Sequence, residues 1–306
     1  MPHAVVIGTR GSSLSVCQTE IVRVRLEERF PQRRFELKTI KAQADRRPDV
    51  PLVALGGEGI FVKELEQALL AGEVDLAVHS MKDLPLAIPE GLTIAAVTER
   101  EDAHDALVSR AGQSWEQLPA GSRVGTSSIR RRSQLLCSRR DVEFVEIRGN
   151  VDTRLRKLDE GRYDAIVLAA CGLIRLGLDA RVTEYLPMTQ MLPEPGQGAL
   201  GIEAREGDDD ILMMLRTLDD AVSRACVSAE RAFLRALGGG CRVPIAAYAE
   251  AKDRALTLDG AVVAPDGSKR LRDKVSGPVV SPDLLGESLA KRLLGQGAKE
   301  VLSLGS

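Results

Sequence analysis

Aromatic residues are scarce in this chain: phenylalanine, tryptophan and tyrosine together make up 3% of its 306 residues, and there is one tryptophan. So few stacking platforms argue against a protein that grips single-stranded nucleic acid by its bases. An excess of one charge is lacking as well. With 42 basic against 44 acidic residues the net charge is −2, so no global field recruits nucleic acid or an anionic membrane, and any anion site must be local. No apolar run approaches a membrane span, and the N-terminal MPHAVVIGTRGSS lacks the charged segment and long apolar core of a signal peptide. A soluble, cytoplasmic protein is the expectation. The five cysteines, at 17, 137, 171, 226 and 241, form an odd and scattered set without metal-ligand spacing or a disulfide framework, which suits a reducing compartment. Histidines are few, and His3, His79 and His104 offer neither a Cys-His pair with Cys241 nor a metal cluster. At this length, two or three domains are expected.

What is present is a repeated α/β order. Ala4 to Gly8 reads as a short buried strand, and apolar residues at helical spacing run from Leu14 to Phe30. Between them, GTRGSS is a strand-to-helix turn whose free backbone amides suit an anion, with Arg10 adding a fork for carboxylate or phosphate. A strand over Phe35 to Ile40, a helix over Phe61 to Leu70 and a strand over Val74 to His79 complete the unit. The order then returns: a strand end at Arg123 to Gly125, the turn GTSS, the helix IRRRSQLLCSRR, a strand over Val142 to Ile147, a helix over Val151 to Leu158 and a strand over Asp164 to Leu168. LLAGEVDLAVHS and KLDEGRYDAIVLAA match in detail, so two α/β lobes of like topology are expected, with ligands beyond the carboxyl ends of their strands, across a cleft. From Asp219 the pattern changes to a helical run ending at Leu237, strands over Ile245 to Ala249 and Ala255 to Val263, and an amphipathic helix near Leu284 to Leu294. That is a small α+β domain. PEPGQG, Pro193 to Gly198, reads as the linker.

Three places carry chemistry. Between Arg123 and Lys157 there are ten basic residues against four acidic ones. Arg130, Arg131 and Arg132 occupy the first turn of a helix, where the dipole disfavours cations unless an anion is near, and helical geometry lets only one or two of them face a shared site. Arg148 ends a strand beside Gly149, and Arg154 lies in the first turn of the next helix. Several arginines at strand ends imply a ligand with several carboxylates or phosphates. In HSMKDLP, Lys82 and Asp83 directly follow a buried strand; Asp83 reads either as an Asx turn ahead of Pro85 or as a carboxylate that stabilises a cation or moves a proton. His79 reads as a packed strand residue. LGGGCRVP, Leu237 to Pro244, reads either as a glycine cap with a small core cysteine or as an accessible loop on which Arg242 favours the Cys241 thiolate.

Taken together, IGTRGSSLSVCQ, FVKELEQALL, DLAVHSMKDLP, VGTSSIRRRSQL, IRGNVDTRL, YDAIVLAACGL, PGQGALGIE and LGGGCRVPI resemble, in order and over nearly the whole chain, the porphobilinogen deaminase (hydroxymethylbilane synthase) family. The resemblance implies a transferase of tetrapyrrole biosynthesis. It joins four porphobilinogens head to tail onto a dipyrromethane cofactor held covalently by Cys241, then releases linear hydroxymethylbilane. It implies that Asp83 is the catalytic carboxylate, also facing the cofactor, and that Lys82, Thr126, Ser128, Arg130 and Arg131 hold the cofactor's side chains. Arg10, Ser12, Arg148, Arg154 and Arg175 match the groups that bind porphobilinogen, and Phe61 is placed near the cofactor. The implied fold is two periplasmic-binding-protein-like α/β lobes plus the C-terminal α+β domain, with domains at 1–98 joined by 199–217, at 99–198 and at 218–306. No metal, nucleic acid or membrane is implied, and a monomer is expected.

In VALGGEGIF, Ala54 and Glu58 stand where many members carry lysines in a mobile loop. Glu58 would repel substrate carboxylates if it pointed inward, so the loop is read as a lid. A reading from another class is a two-lobed binding protein for a small polycarboxylate, whose fold-level features would look much the same. Cys241 on a glycine loop in a third domain counts against it. A nucleic-acid regulator is weaker still, given the net acidity.

Overall fold

The structure is a computed structural model that describes residues 4–41, 62–239 and 243–304. Ala54, Glu58, Phe61 and Cys241 lie outside the described residues. Along the chain, β1 (Val5–Thr9), α1 (Ser13–Arg29), β2 (Phe35–Thr39), α2 (Lys63–Leu70), β3 (Leu76–Ser80) and β4 (Leu92–Val97) come first. They are followed by β5 (Asp105–Ser109), β6 (Arg123–Gly125), α3 (Ile129–Leu136), β7 (Glu143–Val145), α4 (Val151–Asp159), β8 (Ala165–Ala169), α5 (Ala170–Arg175) and β9 (Glu184–Tyr185). The rest comprises β10 (Leu200–Arg205), α6 (Asp209–Arg216), α7 (Ala221–Ala236), β11 (Ile245–Lys252), β12 (Ala255–Val263), β13 (Arg270–Pro278), α8 (Pro282–Gly295) and α9 (Ala298–Ser303).

The chain divides into two compact units, one of residues 1–100 with 199–224, the other of 101–198 with 225–306. The first unit holds a sheet ordered β2-β1-β3-β10-β4, in which β1 runs parallel to β2 and β3 while β10 runs antiparallel to β3 and β4. Strands β1 and β3 are nearly continuous apolar runs because both faces of this sheet are covered. Val22 and Leu26 of α1 pack with Ile7 and Ile202, and Leu65 and Leu69 of α2 pack with Val74 and Ala77.

The second unit holds two sheets. Its mixed sheet is ordered β7-β6-β8-β5-β9, again with three parallel strands and a fourth, β5, antiparallel to its neighbours. The lobes therefore share one topology, and the like position is filled by β10 in one and β5 in the other. Trp115 is wholly buried in this lobe with Val124, Leu135 and Val167. The C-terminal part is a separate antiparallel meander, β11-β12-β13, covered by α8 and by Phe233 of α7, which packs with Leu258 and Leu289. The fold is thus two α/β lobes and a small α+β domain. No described helix is long and apolar enough to cross a membrane.

Candidate functional site

In the first unit, β1 delivers its end into the turn at Arg10 to Ser12. The Ser12 hydroxyl caps α1, accepting the Ser15 amide at 3.2 Å and donating to Ser15 Oγ at 2.8 Å. Arg10 is half-buried at the same strand end. The parallel neighbour β3 ends in a 3-10 turn, Met81–Asp83. Met81 and Leu84 are buried at 2% and 3% exposure, while Lys82 and Asp83 between them stay half-buried. The turn is pinned from both sides, leaving its two charged side chains at the rim. Gly201 of β10 makes room for this, because a Cβ there would stand 2.7 Å from Leu84 Cδ1 and 2.9 Å from Met81 Sδ. The Met81 amide also donates to the Ala199 carbonyl at 3.0 Å.

Beneath this turn, His79 is the packed strand residue its pattern predicts, 5% exposed. Its Nε2 lies 2.9 Å from Glu203 Oε2 without hydrogen-bond geometry. Burial, reinforced by the Glu203 charge, pushes the neighbouring Glu66 carboxyl above the ordinary carboxylate range.

In the second unit, Thr126 follows β6, and its hydroxyl accepts the Ser128 amide at 3.2 Å; Ser128 in turn caps α3. Of the three arginines that open α3, Arg132 is exposed, whereas Arg130 and Arg131 are buried at 3% and 6% exposure. Both turn onto one carboxylate, Asp105 of β5, which is wholly buried. Arg130 Nη1 donates to Asp105 Oδ2 at 2.6 Å and to the Leu192 carbonyl at 2.7 Å. Arg131 Nε donates to Asp105 Oδ1 at 2.9 Å, and its Nη1 to the Val167 carbonyl at 2.9 Å. Burial alone would raise the Asp105 pKa; the two guanidiniums overcome it and hold the carboxyl well below its usual range. Asp105 has no sequence motif of its own, and nothing local in the chain pointed to it.

Arg148 lies past the end of β7, which stops at Val145 rather than running on to Ile147 as the apolar pattern suggests. The strand is short because only Arg123 to Gly125 of β6 pair with it. Arg148 Nε donates to Glu146 at 2.7 Å, and Arg154 Nε to the Gly149 carbonyl at 2.7 Å. Gly149 has φ +107°, and a Cβ there would meet Thr153. Arg175 closes α5 and donates to the Gly198 carbonyl. The structure thus gathers Arg10, Ser12, Lys82 and Asp83 at adjacent strand ends of one lobe. In the other, Thr126, Ser128, Arg130 and Arg131 follow β6 into α3, and Arg148 and Arg154 follow β7 into α4, whereas Arg175 stands at the far end of α5 rather than at the end of β8.

Asp105 and Glu194 both act on Arg130, yet Arg130 Nε is buried beside the first turn of α3 with no hydrogen-bond partner, so this donor set still offers an N–H that fits a ligand carboxylate. Among the described residues there is no His, Cys, Asp and Glu cluster able to hold a metal ion.

Comparison with known proteins agrees over the whole chain. The family model described as "Porphobilinogen deaminase, dipyromethane cofactor binding domain" matches residues 5–213, and "Porphobilinogen deaminase, C-terminal domain" matches residues 224–295. The porphobilinogen deaminase of Desulforudis audaxviator is 52% identical over 303 residues, 99% of this chain and 98% of that protein. That of Pelobacter propionicus is 50% identical over 98% of this chain and 97% of its own, and that of Thiobacillus denitrificans 49% over 98% of each. Among solved structures, the periplasmic aliphatic sulphonate binding protein SsuA from Escherichia coli is similar at a TM-score of 0.40 and 16% identity, covering 77% of this chain and 70% of that one. With half of its residues shared end to end with those relatives, the chain belongs to the porphobilinogen deaminase family.

Proposed function

We infer that this protein is the transferase that deaminates porphobilinogen and joins four of its units head to tail into linear hydroxymethylbilane. Membership of the family along both of its domains carries this reading. The likeness to solute-binding proteins is one of fold alone.

The dipyrromethane group, when bound, supplies the primer from which the product grows. Lys82, Thr126, Ser128, Arg130 and Arg131 would hold its carboxylates, and Cys241, followed by Arg242 in the sequence, is its covalent anchor. Arg10, Ser12, Arg148, Arg154 and Arg175, with Phe61, would bind porphobilinogen. Burying a substrate with two carboxylates unpaired would be prohibitive, and this number of arginines answers that cost. Asp83 sits on a fixed turn, where its carboxylate can balance the positive charge that develops on the substrate as ammonia leaves. It can also accept the ring proton displaced when the new carbon–carbon bond forms.

The domain reading proposed alongside is 1–98 with 199–217, 99–198, and 218–306 as the part that carries the anchor. We place the protein as a monomer in the cytoplasm; the odd, scattered set of five cysteines, without a disulfide framework in its spacing, supports a reducing compartment.

Incubation of the purified protein with porphobilinogen tests this. One ammonia should appear per porphobilinogen consumed, with a linear tetrapyrrole as product. Porphobilinogen retained without ammonia would favour the binding-protein reading instead.

A further inference from the structure

The turn at 193–198, Pro-Glu-Pro-Gly-Gln-Gly, is bonded on two sides within the second unit. Toward the C-terminal domain, the Gly196 amide donates to Glu230 Oε2 at 2.7 Å, the Ala249 amide donates to Glu230 Oε1 at 2.7 Å, and the Ala247 amide donates to the Pro193 carbonyl at 3.1 Å. Glu230 is wholly buried on α7. Toward the α/β lobe, Gln197, also wholly buried, donates from Nε2 to the Ala103 carbonyl at 2.8 Å and to Asp105 Oδ1 at 3.1 Å. Asp105 is the carboxylate on which Arg130 and Arg131 converge.

A contiguous bonded path therefore runs from the domain that bears Cys241, through Glu230, the turn and Gln197, to Asp105 and the arginine pair. Every side chain on it is buried, so each bond is made away from competing water. Gln197 meets the same Oδ1 atom that Arg131 Nε contacts, and a shift of the turn must move the carboxylate that aims both guanidiniums.

We infer that Asp105 and Gln197 are positioning residues, which hold Arg130 and Arg131 in register with the domain that anchors the primer. This rests on the transferase reading above. The guanidiniums could bind a carboxylate without such a frame. Covalent attachment to one domain and charge pairing on another, however, succeed together only if the two are held at a fixed spacing, and small misplacements are costly in rate.

The test uses full-length protein freed of the adduct, porphobilinogen as the probe, and intact mass to follow adduct formation. Gln197→Met preserves length and burial but removes the amide that reaches Asp105. It should slow adduct uptake about tenfold, and lower kcat per adduct-bearing molecule by a similar factor, with KM within about twofold of wild type. Asp105→Asn should move the same quantities in the same direction. A merely structural role would lower the melting temperature and leave uptake and kcat per folded, loaded molecule untouched; that result in Gln197→Met overturns the proposal, even if Asp105→Asn fails to fold. A wild-type protein that never takes up an adduct would instead fail the transferase reading, and this proposal with it.

Discussion

Asp83→Asn should fold as the wild type does and lose kcat by roughly 10²–10³-fold. The substitution is nearly isosteric, on a turn held by buried Met81 and Leu84 on either side and by the Met81 amide bond to Ala199, none of which involves the Asp83 carboxylate. What changes is charge: an amide cannot balance a cation forming on the substrate and is a poor proton acceptor. KM should change far less than kcat, because the arginines assigned to the substrate's carboxylates are untouched. Steady-state kinetics with a parallel thermal melt would check this. Activity within a few-fold of wild type would remove Asp83 from the chemistry.

Asp105→Ala should have the largest effect on stability. It strands two guanidiniums at 3% and 6% exposure without their shared carboxylate, and leaving a buried charge unpaired costs about 3–5 kcal/mol. That is a large fraction of the total stability of an ordinary domain. The pH dependence follows from the direction of the shift. Asp105 is held well below its usual pKa in the folded state, so its contribution is fully present above the unfolded carboxylate value of about 3.9 and is lost as pH falls below that toward the folded value. Urea midpoints should therefore drop sharply for the variant at pH 7, and the difference between variant and wild type should narrow as the medium is acidified below about pH 4. A variant within 1 kcal/mol of wild type at pH 7 would mean that the arginines find other partners.

Much of this molecule is legible in its residues because the signals are local. Ser12 and Ser128 cap helices where strand, glycine and hydroxyl turn succeed one another, and helical spacing alone limits how many of Arg130, Arg131 and Arg132 can share a face; two do. Long-range pairing was not legible. Asp105 lies 25 residues before Arg130 in a strand with no turn motif, and only the antiparallel insertion of β5 beside β8 brings it under α3. The same holds for β10, which follows the second lobe along the chain yet lies between β3 and β4 of the first sheet; no pattern in its own residues says so. Strand β13, RLRDKVSGP, escapes detection for another reason. None of its residues is buried, and Arg270, Arg272, Asp273 and Lys274 leave only Leu271 and Val275 as large apolar side chains, so it shows no apolar run. The loop around Glu58 and the thiol of Cys241 are read from sequence alone, as both fall outside the described residues.

The anchor is where the transferase reading is most exposed to a direct measurement: the intact mass of the freshly purified protein under denaturing conditions, beside that of Cys241→Ser. Wild type should exceed its sequence mass by a two-pyrrole adduct that the variant lacks. A bare polypeptide mass from a preparation that turns over porphobilinogen would contradict it.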